Sequence, residues 1–349
     1  MKRNIGLDFL RGIAIILVLF RHLEINKMMA RTGWIGVDLF FVLSGFLVSG
    51  LLFKEYQKFG QVNLKRFFIR RGFKIYPSFY FFIIFDFGLH YCLNYQLTDF
   101  NLTKLIAEVL FVQNYFPRLW DHTWSIAIEE HFYIFLIIII FLSYTKNQAS
   151  FIKRIKIISI ATLVMVLAMR TYACLNGNIS LAYYQTQFRI DSLMLGVLIS
   201  LLYHFHNQKL SQFVVKYKTL LTAIFFIGMI PFFYFPVDYF WISSIGFSIL
   251  ALLFGILLLL IIDFHFQNIK NKTLAFIIKK VAFIGFYSYN IYLWHLMVLL
   301  LLKMLKIDFN IYYLFSVYFI LSIFTGWLIS ISIEKRGLRW RDRYYPALK

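Results

Sequence analysis

Cysteine is nearly missing from this 349-residue chain, which has only two. Cys92 and Cys174 each sit beside or inside an apolar run, with no CxxC or Cys/His spacing, so neither a disulfide framework nor a zinc site is indicated and both read as packing residues. Acidic residues are also few, 16 Asp and Glu against 36 Lys and Arg, for a net charge of +20. The basic residues are scattered over short loops, which argues against a nucleic-acid face. There is no low-complexity tract, long linker, internal repeat or polar stretch long enough for a second domain. The Lys2-Arg3 start lacks a following A-x-A cleavage pattern and is followed by Arg11 and Arg21, so the first apolar stretch reads as a retained helix and not as a secretory signal.

What is abundant is apolar surface. Hydrophobic residues make up 61% of the chain and aromatics 21%, and mean hydropathy is +0.72. With several apolar runs near 20 residues, the expected fold is all-α, a polytopic membrane helical bundle with about ten transmembrane helices and no soluble domain. The spans fall near 7–25, 34–53, 75–95, 124–144, 153–174, 188–205, 219–236, 241–263, 283–302 and 311–332. Of the Lys and Arg residues, 26 lie on alternate segments starting with the N-terminus, 6 on the intervening loops and 4 (Arg11, Arg21, Arg170, Arg189) within spans. That alternation places both termini in the cytoplasm, in a cytoplasmic (inner) membrane, and favours anionic headgroups and anionic cytosolic ligands.

Two extramembrane stretches stand out. Residues 54–74 form a basic cytoplasmic loop with seven cations and one acid, in which NLKRFFIRR can make a short interfacial helix with Leu64, Phe67 and Phe68 on lipid. Residues 96–123 form an extracytoplasmic loop whose stretch LTKLIAEVLFV lies along the membrane or packs under the bundle. It leads into TWSIAIEEHFY, which carries the adjacent acids Glu129 and Glu130 into a span.

Ionisable groups inside spans are costly and usually face a bundle interior or a wet cavity. In LDFLRGIAIILVLFRHL, Arg11 and His22 are separated by ten residues. On a continuous helix they share a face and lie about 16 Å apart along the axis. Proton abstraction at neutral pH calls for a group that titrates near that pH. Histidine titrates near that range, which makes His22 the candidate. The plainer explanation is a polar residue at a helix end. For Arg11 the plainer partner is Asp8, three residues earlier on the same helix.

Seven blocks, in order, resemble the acyltransferase 3 family of integral membrane acyltransferases along almost the whole chain. They are LDFLRGIAIILVLFRH (the Arg-x10-His signature), GWIGVDLFFVLSGFLVSGLL, FFIRRGFKIYP, TWSIAIEEHFY, FRIDSLMLG, YSYNIYLWH and SIEKRGL. Two positions depart from the family pattern: Lys74 stands where an arginine is usual, keeping charge but losing the planar fork, and Arg336 stands where proline is usual. The chain stops after the last span without the extracytoplasmic esterase-like domain that some members carry, which leaves residues 1–349 as a single integral membrane acyltransferase domain.

The resemblance implies an O-acyltransferase with acyl-CoA, acetyl-CoA by default, as donor substrate and no permanently bound cofactor or metal. The acceptor it implies is an extracytoplasmic or lipid-linked carbohydrate such as O-antigen, exopolysaccharide or another envelope glycan. With the register and the family match, His22 reads as catalytic, either as base or as a transient acyl carrier. Arg11 then binds donor phosphate or polarises a group in a donor tunnel, and Glu129 raises the basicity of the histidine or binds acceptor hydroxyls. Arg70, Arg71 and Lys74 are candidate ligands of the CoA phosphates; headgroup anchoring is the alternative and suits Lys65 and Arg66 better. Trp124 and Ser125 are candidates for the acceptor site. Asp191, beside Arg189, either pairs structurally or lines a pore. Tyr289, Tyr292 and His295, spaced by three, put a polar edge on one helix, with Tyr289 and His295 as candidate substrate contacts and interhelical bonding as the tyrosines' alternative. A lipid-linked sugar flippase or transporter shares the polar face but needs no aligned base, and a polyprenyl-dependent glycosyltransferase is disfavoured because loop 26–33 holds no acid. Oligomeric state is left open.

Overall fold

The computed structural model describes residues 4–23, 27–93, 101–264, 269–305 and 310–346. The Lys2-Arg3 pair, the Cys92 side chain and positions 96–100 of the outer loop lie outside these described residues; Cys174 is free and buried. Sixteen α-helices follow in chain order: α1 (Ile5–Arg21), α2 (Lys27–Thr32), α3 (Ile35–Phe59), α4 (Leu64–Leu93), α5 (Leu102–Val109), α6 (Trp124–Ser143), α7 (Gln148–Leu175), α8 (Ile179–Tyr184), α9 (Ile190–Phe205), α10 (Asn207–Lys216), α11 (Lys218–Tyr234), α12 (Phe247–Ile262), α13 (Lys272–Phe286), α14 (Ser288–Met304), α15 (Ile311–Ile329) and α16 (Lys335–Tyr344). No strand occurs among the described residues. The protein is a polytopic helical membrane protein. Among the described residues five helices are long and apolar enough to cross a bilayer, up to seven when each of two bent pairs counts as one span. That is fewer than the ten read from hydropathy, and α9, though apolar, is short for a crossing.

Contacts divide the chain into two compact units: Met1–Arg21, Asn26–Val62 and Ile128–Gly285 in the first, His22–Ile25, Asn63–Ala127 and Phe286–Lys349 in the second. In the first, Asn4 caps α1 by accepting the Leu7 N–H at 3.2 Å. Leu7, Leu10, Ala14 and Val18 then make its buried face. Helix α3 ends at Gly60, whose φ of 66° and N–H bond to the Tyr56 carbonyl form a left-handed cap. Helices α3 and α9 cross at Gly45 and Gly196: a Cβ on Gly45 would sit 1.9 Å from the Leu193 carbonyl oxygen, and one on Gly196 would sit 2.3 Å from that of Val42. Apolar side chains gain little by leaving lipid for one another, so such backbone-to-backbone approach is what joins helices in a membrane.

In the second unit, α4 begins at its cap, Asn63, which accepts the Arg66 N–H at 2.9 Å, and runs unbroken for 30 residues. The short interfacial helix expected over NLKRFFIRR is therefore the first turns of one long helix. Pro77 lies inside it and cannot bond back to the Phe73 carbonyl. Helix α16 packs at that point, where the Cβ missing from Gly337 would come within 2.8 Å of Pro77 and 3.0 Å of the Phe73 oxygen. Helix α5, the core of LTKLIAEVLFV, exposes Leu102, Ile106 and Leu110 and buries Glu108. The Glu108 carboxylate accepts from Thr123 Oγ1 at 2.8 Å and from the Leu119 N–H at 3.2 Å. Burial pushes its pKa up to about 7, with Thr123 and the Trp120 and Leu119 N–H groups opposing.

Candidate active site

Helix α1 ends at Arg21, so His22 opens the turn that follows it and belongs to the second unit. Its ring centre lies 5.0 Å from that of His295 on α14, at an interplanar angle of 52°. The His295 ring is in turn 5.0 Å from that of His122, which sits in the single turn Asp121–Thr123 before α6. Both inner rings are held by main-chain carbonyls: His122 Nε2 lies 3.0 Å from the Leu293 oxygen, and His295 Nδ1 bonds the Tyr292 oxygen. A carbonyl only accepts, so each of those nitrogens carries its proton. In the neutral ring the other nitrogen is bare. These are His122 Nδ1 and His295 Nε2, both buried and with no hydrogen-bond partner. Among the described residues no three His, Cys, Asp or Glu side chains are grouped to hold a metal ion, so the cluster is described by its proton chemistry.

Hydroxyl groups border the inner rings. The Tyr292 hydroxyl donates to the His122 carbonyl at 2.7 Å, and Ser125 Oγ lies 2.6 Å from the Tyr292 oxygen. Trp124, at the start of α6, is buried. Of the expected site residues, the structure thus gathers His22, His295 and Ser125 in one unit, together with Tyr292. Tyr289 makes an interhelical bond instead, donating to the Ile75 carbonyl at 3.0 Å.

The basic block also lies in the second unit. Arg70 donates to Asp342 of α16 at 3.1 Å and to the Tyr345 carbonyl, and Lys74 pairs with Glu334. The same carboxylate accepts the Asn290 amide at 2.6 Å and the Ser330 hydroxyl at 3.0 Å. Three sequence blocks, FFIRRGFKIYP, YSYNIYLWH and SIEKRGL, therefore meet at Glu334. Arg71 is half-buried on α4.

Arg11, Glu129 and Asp191 belong to the first unit. Arg11 is half-buried in mid-α1, with Asp8 buried one turn before it. The Glu129 carboxylate accepts from Ser44 Oγ at 3.0 Å and from the Tyr133 hydroxyl, so it is set among hydroxyls. Asp191 and Arg189, neighbours in sequence, do not pair with each other. Asp191 takes Arg170 at 2.9 Å and Ser248 at 2.8 Å, whereas Arg189 takes both oxygens of Asp38 at 2.8 and 2.9 Å. Arg170 further donates to the Ser244 and Phe188 carbonyls at 2.8 and 2.6 Å, and Arg189 lies 3.7 Å over the Phe247 ring. Residues only two apart point to different sides of a helix, which is why each partner comes from elsewhere in the chain.

The fold and this site define a multi-pass membrane protein with a cluster of three histidines. The chain belongs to the acyltransferase 3 family: the family model, described as an acyltransferase domain, matches residues 4–334. A provisionally named O-acetyltransferase of Staphylococcus aureus strain MRSA252 is 30% identical over 379 residues, covering 99% of this chain and 60% of the relative. O-acetyltransferase OatA of S. aureus strain NCTC 8325 / PS 47 is 29% identical over 307 residues, covering 83% of this chain and 49% of the relative. The chain thus spans 60% or less of the length of these curated relatives. No solved structure matches it.

Proposed function

We propose that this protein is a membrane O-acetyltransferase that moves an acetyl group from cytoplasmic acyl-CoA to a hydroxyl of an extracytoplasmic or lipid-linked carbohydrate. The observation that carries this reading is His22, an imidazole placed against a second imidazole at the end of the family's opening helix. His22 takes the proton of the acceptor hydroxyl as its oxygen attacks the thioester carbonyl; the C–O bond forms and the C–S bond breaks. The thiolate leaves and recovers the proton from the imidazolium, so the reaction balances with CoA as the thiol.

Arg70, Arg71 and Lys74 draw the donor's phosphates to the cytoplasmic face, competing there with the carboxylates of Asp342 and Glu334. Arg11 and Glu129 act on the donor and the acceptor respectively. Trp124, Ser125 and the Tyr292 hydroxyl border the acceptor. This division of labour fits an inner-membrane protein with both termini in the cytoplasm.

The test is mass spectrometry of envelope glycans from cells with and without the gene. An acetyl-sized mass that disappears with the gene and with His22→Ala supports the reading. An unchanged glycan with altered lipid-linked intermediates points to a flippase and overturns it.

A further inference from the structure

The two inner imidazoles are not needed to state the reaction, yet their geometry is specific. His295 is wholly buried on α14. The Tyr292 carbonyl fixes its proton on Nδ1, which leaves Nε2 as a bare acceptor with no partner. A buried acceptor left unsatisfied is costly and calls for an explanation. The neighbouring ring with protons to offer is His22, 5.0 Å away centre to centre, close enough for a rotation of the ring to bring a nitrogen to that acceptor. Hydrogen bonds of this kind are commonly loose in an empty site and tighten as charge develops. The other groups facing the cluster are Tyr292 and Ser125, joined to each other, and Asp121 beside His122, itself paired with Arg118 at 3.4 Å. The remaining neighbours of His122 are the rings of Phe82 and Trp120.

We propose that His295 is a positioning residue for His22: its bare Nε2 accepts the N–H of His22, which turns the other His22 nitrogen toward the acceptor hydroxyl as the base. The same bond strengthens when His22 becomes imidazolium, and so supports the charge that the base acquires. His295 thereby does with a neutral ring what a carboxylate does for the histidine of a catalytic triad. A neutral partner suits the location, because an additional buried carboxylate would need a cation of its own. His122 repeats the arrangement one ring further in, its Nε2–H on the Leu293 carbonyl and its Nδ1 bare. The proposal rests on His22 being the base.

The test reads the protonation of His22 without using catalysis. Diethyl pyrocarbonate carbethoxylates neutral imidazole, so the rate of modification at His22, followed by peptide mass spectrometry on the detergent-solubilised full chain across pH, reports its midpoint. His295→Phe, which removes the acceptor but keeps a ring, is expected to lower that midpoint by about one pH unit, tenfold in proton affinity. His295→Gln, whose side-chain oxygen can accept in place of Nε2, is expected to restore most of the shift. His122→Phe is expected to lower the midpoint by less. An unmoved midpoint in folded His295→Phe protein overturns the proposal, as does an equal shift in the Phe and Gln variants, which marks a packing effect. Should His295→Phe fail to fold, His295→Ala and His122→Phe are read in its place, and unmoved midpoints there overturn the proposal equally. This outcome is independent of the glycan measurement, so the acetyltransferase reading and the positioning role fail separately.

Discussion

The two units hold their buried polar groups in opposite ways. In the first, Arg170, Asp191, Arg189 and Asp38 are all but fully buried and matched cation to anion, with carbonyls and hydroxyls taking further donors. In the second, two buried imidazoles, His122 and His295, are each held at one nitrogen and bare at the other. A buried charge matched to its counter-ion locks helices together, because leaving the pair uncovers an ion in a medium that cannot solvate it. A neutral base with an unused lone pair costs less to bury and retains the capacity to take a proton. The contrast sets groups placed to hold this protein together against groups proposed to serve its reaction.

The largest effect should come from the reactive side. His22→Ala is expected to lower acetyl transfer at least a hundredfold, the usual range for a lost general base, while protein level and thermal unfolding in detergent stay near wild type. A variant that instead fails to accumulate would assign His22 to the structural class. Breaking the other side should do the reverse: Arg170→Ala strands Asp191 and is expected to cost about 3–5 kcal/mol of stability, read as a fall in melting temperature. Replacing both partners, Arg170→Met with Asp191→Leu, should recover much of that loss, since well-packed apolar groups commonly substitute for a buried pair.

A smaller, pH-dependent effect is expected at Glu108. Its folded pKa, raised to about 7 by burial, lies above the ordinary value, so its stabilising contribution is complete below the unfolded pKa and is lost as pH rises through 7. Hydrogen exchange in residues 101–127 should therefore accelerate beyond the intrinsic rise as pH goes from 4.5 to about 7 and add nothing further above it, and Glu108→Gln should flatten that added slope. Flat exchange in the wild type would show Glu108 to be an ordinary surface-like acid. The smallest effect belongs to Asp342, whose side chain is 56% exposed beside Arg70: Asp342→Ala should change stability by less than about 1 kcal/mol. A larger loss would move the α16 contact into the same class as the Arg170 pair.

Much of this could be read from the chain, for reasons that differ by level. Each apolar run falls on a helix, because backbone groups in lipid must bond within their own segment. The number of crossings was harder to read, since hydropathy alone does not distinguish a spanning helix such as α7 from the shorter α9. The interfacial helix over NLKRFFIRR and the span near 75–95 read as separate pieces, whereas α4 runs through both, with Pro77 inside it and Gly337 packed at that point. Among site residues, His22 and His295 carried signals in their spacing and motif. His122 carried none, since a histidine in a loop ahead of a tryptophan is unremarkable until folding brings α14 beside it. The partners of Arg189 and Asp191 were not legible, because nearness in sequence is a poor guide to partnership on a helix; Arg170 and Asp38 are 21 and 151 residues from the groups they bond.

Helix α5 is built inside out by the standards of water, with its acid inward and Leu102, Ile106 and Leu110 outward. Its covering must be hydrocarbon, so handling the purified protein in short-tailed or scarce detergent would bare this stripe and invite self-association there. Bilayer discs or long-chain surfactants should keep it shielded, and with it the segment that leads into His122.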